Sequence, residues 1–239
     1  MMRLAYLLPC LALAMAGAPA LADTITLTPT DVGKSFTLDY NGFTGGGTID
    51  GLAGQTVFTL TGVSGNSYTF GYTVNNISGA PITGSRISGF GFNTNPDIAG
   101  ASSTGVFDTV GTGNAPNIGT VDVCFKGGGG TNNCAGGSGD GVSLGDSTSG
   151  TLTLDFSSPV DQLSLSDFFV RYQSITGAGS ISSAVGSGTV SSSTSSGGSS
   201  SGGTPVPEPS MLLLFGAGVA ALGFARARSR PARPLALAA

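Results

Sequence analysis

Twelve aspartates between Asp23 and Asp167, many serines, and a pair of cysteines ten positions apart are the side chains with which this 239-residue chain could do chemistry. Two carboxylates, one with a raised pKa, are enough to hydrolyse a glycosidic bond. No spacing among the aspartates singles out such a pair, and there is no Trp to stack on a sugar ring. The chain contains no His at all. That excludes a Ser-His-Asp or Cys-His nucleophile and a His-ligated zinc, and leaves the serines as turn and linker residues.

Weaker signals point to ligands. The stretch GGSGDGVSL (residues 136–144) has the look of a glycine-rich calcium loop, but its Asp140 falls one position early and the motif occurs once. Asp140 and Asp146 are the calcium candidates, because a hard cation takes carboxylate and carbonyl oxygen. KGGGGTN (126–132) lacks the spacing of a phosphate-binding loop. Asn76-Ile77-Ser78 is a formal glycosylation sequon. From Asp23 to Thr204, twelve acids face four bases (Lys34, Arg86, Lys126, Arg171), a net charge of −8 that disfavours nucleic acid as a partner.

These residues need a scaffold, and the alternation of apolar and polar residues supplies an all-β one. Phe36, Leu38 and Tyr40 share one face, as do Phe58 and Leu60, then Tyr68, Phe70, Tyr72 and Val74, then Val121, Val123 and Phe125, and finally Leu152, Leu154 and Phe156. Each run has strand length and is followed by a Gly-, Ser- or Asn-rich turn. DQLSLSDFFVRYQSI (161–175) reads as a short connection followed by a strand. The expected fold is an antiparallel β-sandwich of jelly-roll type over residues 23–185, with a flexible Ser/Gly-rich tether at 186–204.

Both ends read as addresses. Residues 1–22 place Arg3 before an apolar run and close on Ala20-Leu21-Ala22, a signal peptide cut between Ala22 and Asp23 by signal peptidase after entry into the secretion machinery. Cys10 leaves with it. Cys124 and Cys134 are then the cysteines of an exported protein, where an oxidising compartment makes a disulfide the expectation; as metal ligands they would lack a third partner. At the other end, Met211–Ala225 forms an apolar helix of about 22 Å, short for a bilayer core of about 30 Å. Arg226, Arg228, Arg230 and Arg233 follow and would stay on the cytoplasmic side.

The order Pro207-Glu208-Pro209, apolar helix, arginine cluster resembles the PEP-CTERM sorting domain, here residues 205–233 ahead of a short tail, 234–239. The resemblance implies an exosortase-like processing enzyme that cuts near the Pro-Glu-Pro motif, transient anchoring in the inner membrane, and then the cell surface or an extracellular, exopolysaccharide matrix. SRISGFGFN (85–93), VDVCFKGGGGTNNCAGG (121–137) and DFFVRYQSITGAGS (167–180) are similar to segments of the cistern family of PEP-CTERM proteins. That likeness supports the cysteine pairing and implies no catalyst or cofactor. The expected function is thus that of an exported, non-catalytic protein with a structural or adhesive role, the alternative being a carbohydrate-binding module, calcium-dependent or not.

Overall fold

The computed structural model describes residues 23–194 except 46, 130–132 and 138. Signal peptide, apolar segment and arginine cluster lie outside the described residues, among which no helix is long and apolar enough to cross a membrane. Twelve strands follow in chain order: β1 (Ile25–Leu27), β2 (Ser35–Thr44), β3 (Gly47–Ser64), β4 (Ser67–Asn75), β5 (Gly84–Asn95), β6 (Gly100–Ser103), β7 (Thr109–Ala115), β8 (Gly119–Lys126), β9 (Val142–Ser143), β10 (Ser147–Asp155), β11 (Leu163–Thr176) and β12 (Ser183–Thr194). A 3-10 turn, Pro29–Asp31, joins β1 to β2. All strand pairings are antiparallel.

Hydrogen bonding runs through one sheet in the order β6-β10-β4-β3-β2-β12-β11-β5-β8-β7, with β1 attached to β11 and β9 to β5. The sheet folds back on itself until its ends, β6 and β7, touch. Its two halves face each other through aromatic rings that no neighbouring strands bring together. Phe58 of β3 meets Phe90 and Phe92 of β5 at 5.7 and 6.1 Å, Tyr72 of β4 meets Phe90 at 5.1 Å, and Phe36 of β2 meets Phe168 of β11 at 6.0 Å. The expected all-β, antiparallel, sandwich-like architecture is therefore present as a sheet closing nearly into a barrel. The period-two runs drive it: Phe36, Leu38, Tyr40, Phe58, Leu60, Tyr68, Phe70, Tyr72 and Val74 are all buried in one core.

β8 and β11 change phase. In β8 the register shifts beside Gly111 and Gly113, so Val123 and Phe125 enter the main core while Val121 turns to a small cluster on the outer face. Sequence alternation had placed all three on one face. In β11 a bulge at Asp167 and Phe168, with Asp167 at φ 50°, passes the inward role from Leu163 and Leu165 to Phe168, Val170 and Tyr172. The strand therefore starts at Leu163, where a connection was expected. Phe169 is turned outward into the small cluster with Ala115, Val121, Cys124 and Cys134.

The C-terminal boundary also moves. β12 continues to Thr194, nine residues into the stretch 186–204 expected to be tether, and lies between β2 and β11. Its small residues have a packing reason. A Cβ on Gly188 would stand 2.7 Å from the Tyr40 ring and 2.9 Å from Phe168, and one on Gly186 would stand 2.9 Å from Tyr40. The neighbouring aromatics fill the space that the glycines leave empty.

Two core tyrosines tie stability to alkaline pH. Burial holds the hydroxyls of Tyr40 and Tyr172 protonated well above the ordinary value of 10.0; Tyr40 also shares a 2.8 Å hydrogen bond with Thr56, which pulls weakly the other way. Unfolding exposes both to ionisation, so the contribution of each is constant below about pH 10 and falls above it, by roughly 1.4 kcal/mol per pH unit for each tyrosine. Chemical denaturation between pH 8 and 11 should show this loss. The Tyr172 hydroxyl is buried with no hydrogen-bond partner among the described residues. Tyr172→Phe should therefore reduce the alkaline slope by roughly 1.4 kcal/mol per pH unit while leaving stability at pH 8 unchanged or about 1 kcal/mol higher.

Candidate functional site

β8, β5 and β11 lie side by side, and the outer face of this trio carries what the body has of positive charge apart from Lys34. Gly89 and Gly91 of β5 are the reason that this face can be covered. Their inward neighbours Phe90 and Phe92 fill the core, and their missing side chains leave room for Lys126, Cys124 and Phe169 on the outside. Cys124 and Cys134 are joined by a disulfide, with Cα atoms 5.7 Å apart, which folds the glycine-rich loop after β8 over Phe169. Cys124, Cys134 and Phe169 are each 1% exposed.

Two arginines latch the loop. Arg171 of β11 donates from Nε to the Ala135 carbonyl at 3.0 Å and from Nη1 to the Ala184 carbonyl of β12 at 3.0 Å. Burial lowers its pKa from the ordinary arginine value, and its charge is met by carbonyl dipoles. Arg86 of β5 donates from Nη1 to the Asp140 carbonyl at 2.6 Å and from Nη2 to Gln173 Oε1 at 3.1 Å. The backbone N–H groups of Gly127 and Gly137 both donate to the Ser88 carbonyl, at 3.1 and 3.2 Å. Lys126 is 2% exposed and burial lowers its pKa. Lys34, away from this face, pairs with Asp31 at 2.7 Å.

Beside the latch runs an open groove of about 730 Å³, lined by Arg86, Asp108, Thr109, Asp140 and Thr148 with glycine backbone between them. It mixes one cation, two carboxylates and hydroxyls, a surface able both to donate hydrogen bonds to a polar ligand and to accept them. Asp140 lines this groove and Asp146 does not; the Asp146 carbonyl instead accepts from the Asn76 N–H at 3.1 Å. No group of three or more His, Cys, Asp or Glu side chains among the described residues is placed to hold a metal.

Asn76 of the sequon is 1% exposed, and its amide Nδ2 donates to the Ser85 carbonyl, Ser85 Oγ and the Val142 carbonyl. It is a structural tie between the loop after β4, β5 and β9, closed to glycosylation in the folded body. The sequence reading missed Arg86 and Arg171. The available signal was their type: in a body with four basic residues, two arginines on strands flanking a glycine-rich loop are suited to bind carbonyls. The disulfide closes a loop of about 11 residues and should contribute about 3 kcal/mol. Urea unfolding of the Cys124→Ser/Cys134→Ser variant should show that loss, with the core strands still folded.

The sorting residues Pro207, Glu208, Pro209, Arg226, Arg228, Arg230 and Arg233, and the cleavage-side Ala22, lie outside the described residues; Asp23 is within them. A PEP-CTERM protein-sorting motif matches residues 205–229. No curated protein and no solved structure matches the chain. The matched segment holds the Pro-Glu-Pro triplet, the apolar run, Arg226 and Arg228. Such a motif marks a protein that is exported, sorted at the membrane and processed by an exosortase.

Proposed function

We propose that this chain is an exported, non-catalytic structural or adhesive protein that its C-terminal motif delivers to the cell surface or an exopolysaccharide matrix. The sorting motif at 205–229 carries the reading. The β body supports it: the closed, aromatic core and the latched loop give a rigid unit suited to display, and the sequence has no His with which to build the common nucleophilic or zinc sites. Signal peptidase frees Asp23, the apolar segment holds the chain in the inner membrane, and the exosortase cuts near Pro207-Glu208-Pro209.

Intact-mass measurement on membrane, surface and medium fractions tests this. The mature protein should start at Asp23, lack everything past the Pro-Glu-Pro region, and be found outside the membrane. Replacing Pro207, Glu208 and Pro209 with alanine should leave the chain in the membrane fraction at tail-retaining mass. A wild-type chain that keeps Met211 to Ala239 in the membrane would refute the sorting half of the reading.

A second reading, a glycan-binding module, draws on the mixed polar groove. Binding of matrix oligosaccharides that is weakened by Asp108→Asn would favour it, and a loss of binding in chelator would add calcium through Asp140.

A further inference from the structure

We propose that a recess beside the groove, built on β5, β11 and β12, binds a carboxylate carried on a sugar, such as a uronic acid residue of a polysaccharide. The recess measures about 420 Å³ and is lined by Arg86, Gly137, Gln173, Ser174, Ser182 and Ser183. Its side chains bring one cation, an amide and three hydroxyls, and no carboxylate. The proposal extends the glycan-binding reading to a different pocket and does not require the groove to be a site.

Strand register assembles it. Arg86 of β5 pairs with Gln173 of β11, and Gln173 pairs with Ser183 of β12. Strands lie about 4.8 Å apart and paired residues share a face, so the three form a row about 10 Å long on the outside of the sheet. Strict alternation after Gln173 would turn Ser174 inward. Instead Ser174 has φ 54°, the register shifts between Gln173 and Thr176, and Ser174 is exposed and lines the recess. Bulges re-aim side chains in this way.

Arg86 is the cation that remains for a ligand. Of the four bases between Asp23 and Thr204, Lys34 pairs with Asp31, Lys126 is 2% exposed, and Arg171 is taken up by two carbonyls. Arg86 meets the Asp140 carbonyl and Gln173 Oε1, neither of them charged, and keeps further guanidinium N–H groups. The Asp140 carboxylate lies toward the groove, beside Gly128, where a Cβ would stand 3.4 Å from its Oδ2. With Oε1 of Gln173 turned to Arg86, its Nε2 is left to donate. The hydroxyls of Ser174, Ser182 and Ser183 make no hydrogen bond to the described residues.

A carboxylate accepts hydrogen bonds and gives none, and it matches the planar fork of a guanidinium. A recess of donors around one cation selects it; the groove, with Asp108 and Asp140, does not. The serine hydroxyls around the Arg86–Gln173 pair both donate and accept, which suits the hydroxyls of a sugar ring. One available cation on a body of net charge −8 also suits a polymer whose acids are widely spaced, since a charge on every unit would be repelled.

NMR titration of the 15N-labelled full-length chain with trigalacturonate tests this, with the neutral methyl ester of that trisaccharide and inorganic sulfate as comparisons. Trigalacturonate should shift the Arg86 Nε–H and Gln173 side-chain amide signals, and both comparison ligands should bind about tenfold more weakly or less. Gln173→Glu is the deciding variant. It keeps an oxygen for Arg86, and with it the latch on the loop, but sets a carboxylate in the recess, so trigalacturonate binding should fall about tenfold or more while Tm is unchanged or raised. Absence of the two shifts, binding that survives Gln173→Glu, or an ester that binds as well as the acid would overturn the carboxylate site. Sulfate binding as tightly as trigalacturonate would overturn the sugar as its carrier. Asp108→Asn separates the two pockets: the shifts should persist in that variant, and their loss would move the ligand to the groove and overturn the recess. The groove reading itself stands or falls on neutral oligosaccharides with the same Asp108→Asn variant.

Discussion

A chain ending at Ser182 should not fold, whereas one ending at Thr204 should unfold cooperatively with the midpoint of the full-length body. The difference is β12. By composition, 186–204 is a Ser/Gly tract with little to bury, and removing it would be expected to cost nothing. In the structure the strand pairs with β2 from Ser35 to Phe43 and with β11 from Phe169 to Gln173, and buries Ala184 and Val185 completely. Deleting it strips hydrogen-bond partners from two central strands and opens the core at Tyr40, Val170 and Tyr172. The loss should equal the whole stability of a domain this size, about 5–15 kcal/mol. Far-UV circular dichroism and urea melts of the two truncations decide the matter. A folded chain ending at Ser182 would show that β12 is dispensable.

Gly91→Val should be the most damaging single substitution on the latched face. Gly91 pairs with Cys124 on one side and Phe169 on the other. A Cβ there would stand 2.6 Å from the Phe169 ring and 2.8 Å from the Cys124 Cβ, and would press on the Val123 carbonyl. Backbone and a disulfide-linked side chain cannot move aside as a flexible tip would. Overpacking against them should cost about 3 kcal/mol or more, roughly a 10 °C drop in Tm for a domain of this size. It should also loosen the loop, giving faster proteolysis between Gly127 and Gly141. Gly62→Ala is the control: a Cβ at Gly62 meets nothing within 4 Å, so stability should change by no more than about 0.5 kcal/mol. Similar Tm losses for the two variants would contradict the packing described for this face.

What the sequence determined by itself was whatever depends on local pattern. Alternation at Phe36-Leu38-Tyr40 and Tyr68-Phe70-Tyr72-Val74 dictates half-buried strands whatever their partners, because a two-residue period admits one apolar face per strand. The sorting motif is likewise linear, read in order along the chain, and so was legible without a fold. The pairing of Cys124 with Cys134 followed from export and their spacing.

The tertiary structure decided what depends on a neighbour distant in sequence. The tract 186–194 becomes a central strand because Tyr40 and Phe168, roughly 150 and 20 residues upstream, supply the bulk that its glycines lack. Val121 and Phe169 leave the main core because single-residue shifts in β8 and β11 invert the phase, and a shift of one residue moves a side chain to the opposite face. Asn76 fits a sequon in the chain and is sealed in a hydrogen-bond network in the fold. Arg86 and Arg171 became latches only when β5 and β11 met beneath a loop whose carbonyls needed donors. Burial and hydrogen-bond partners are properties of pairs, and a sequence pattern specifies only one member of each.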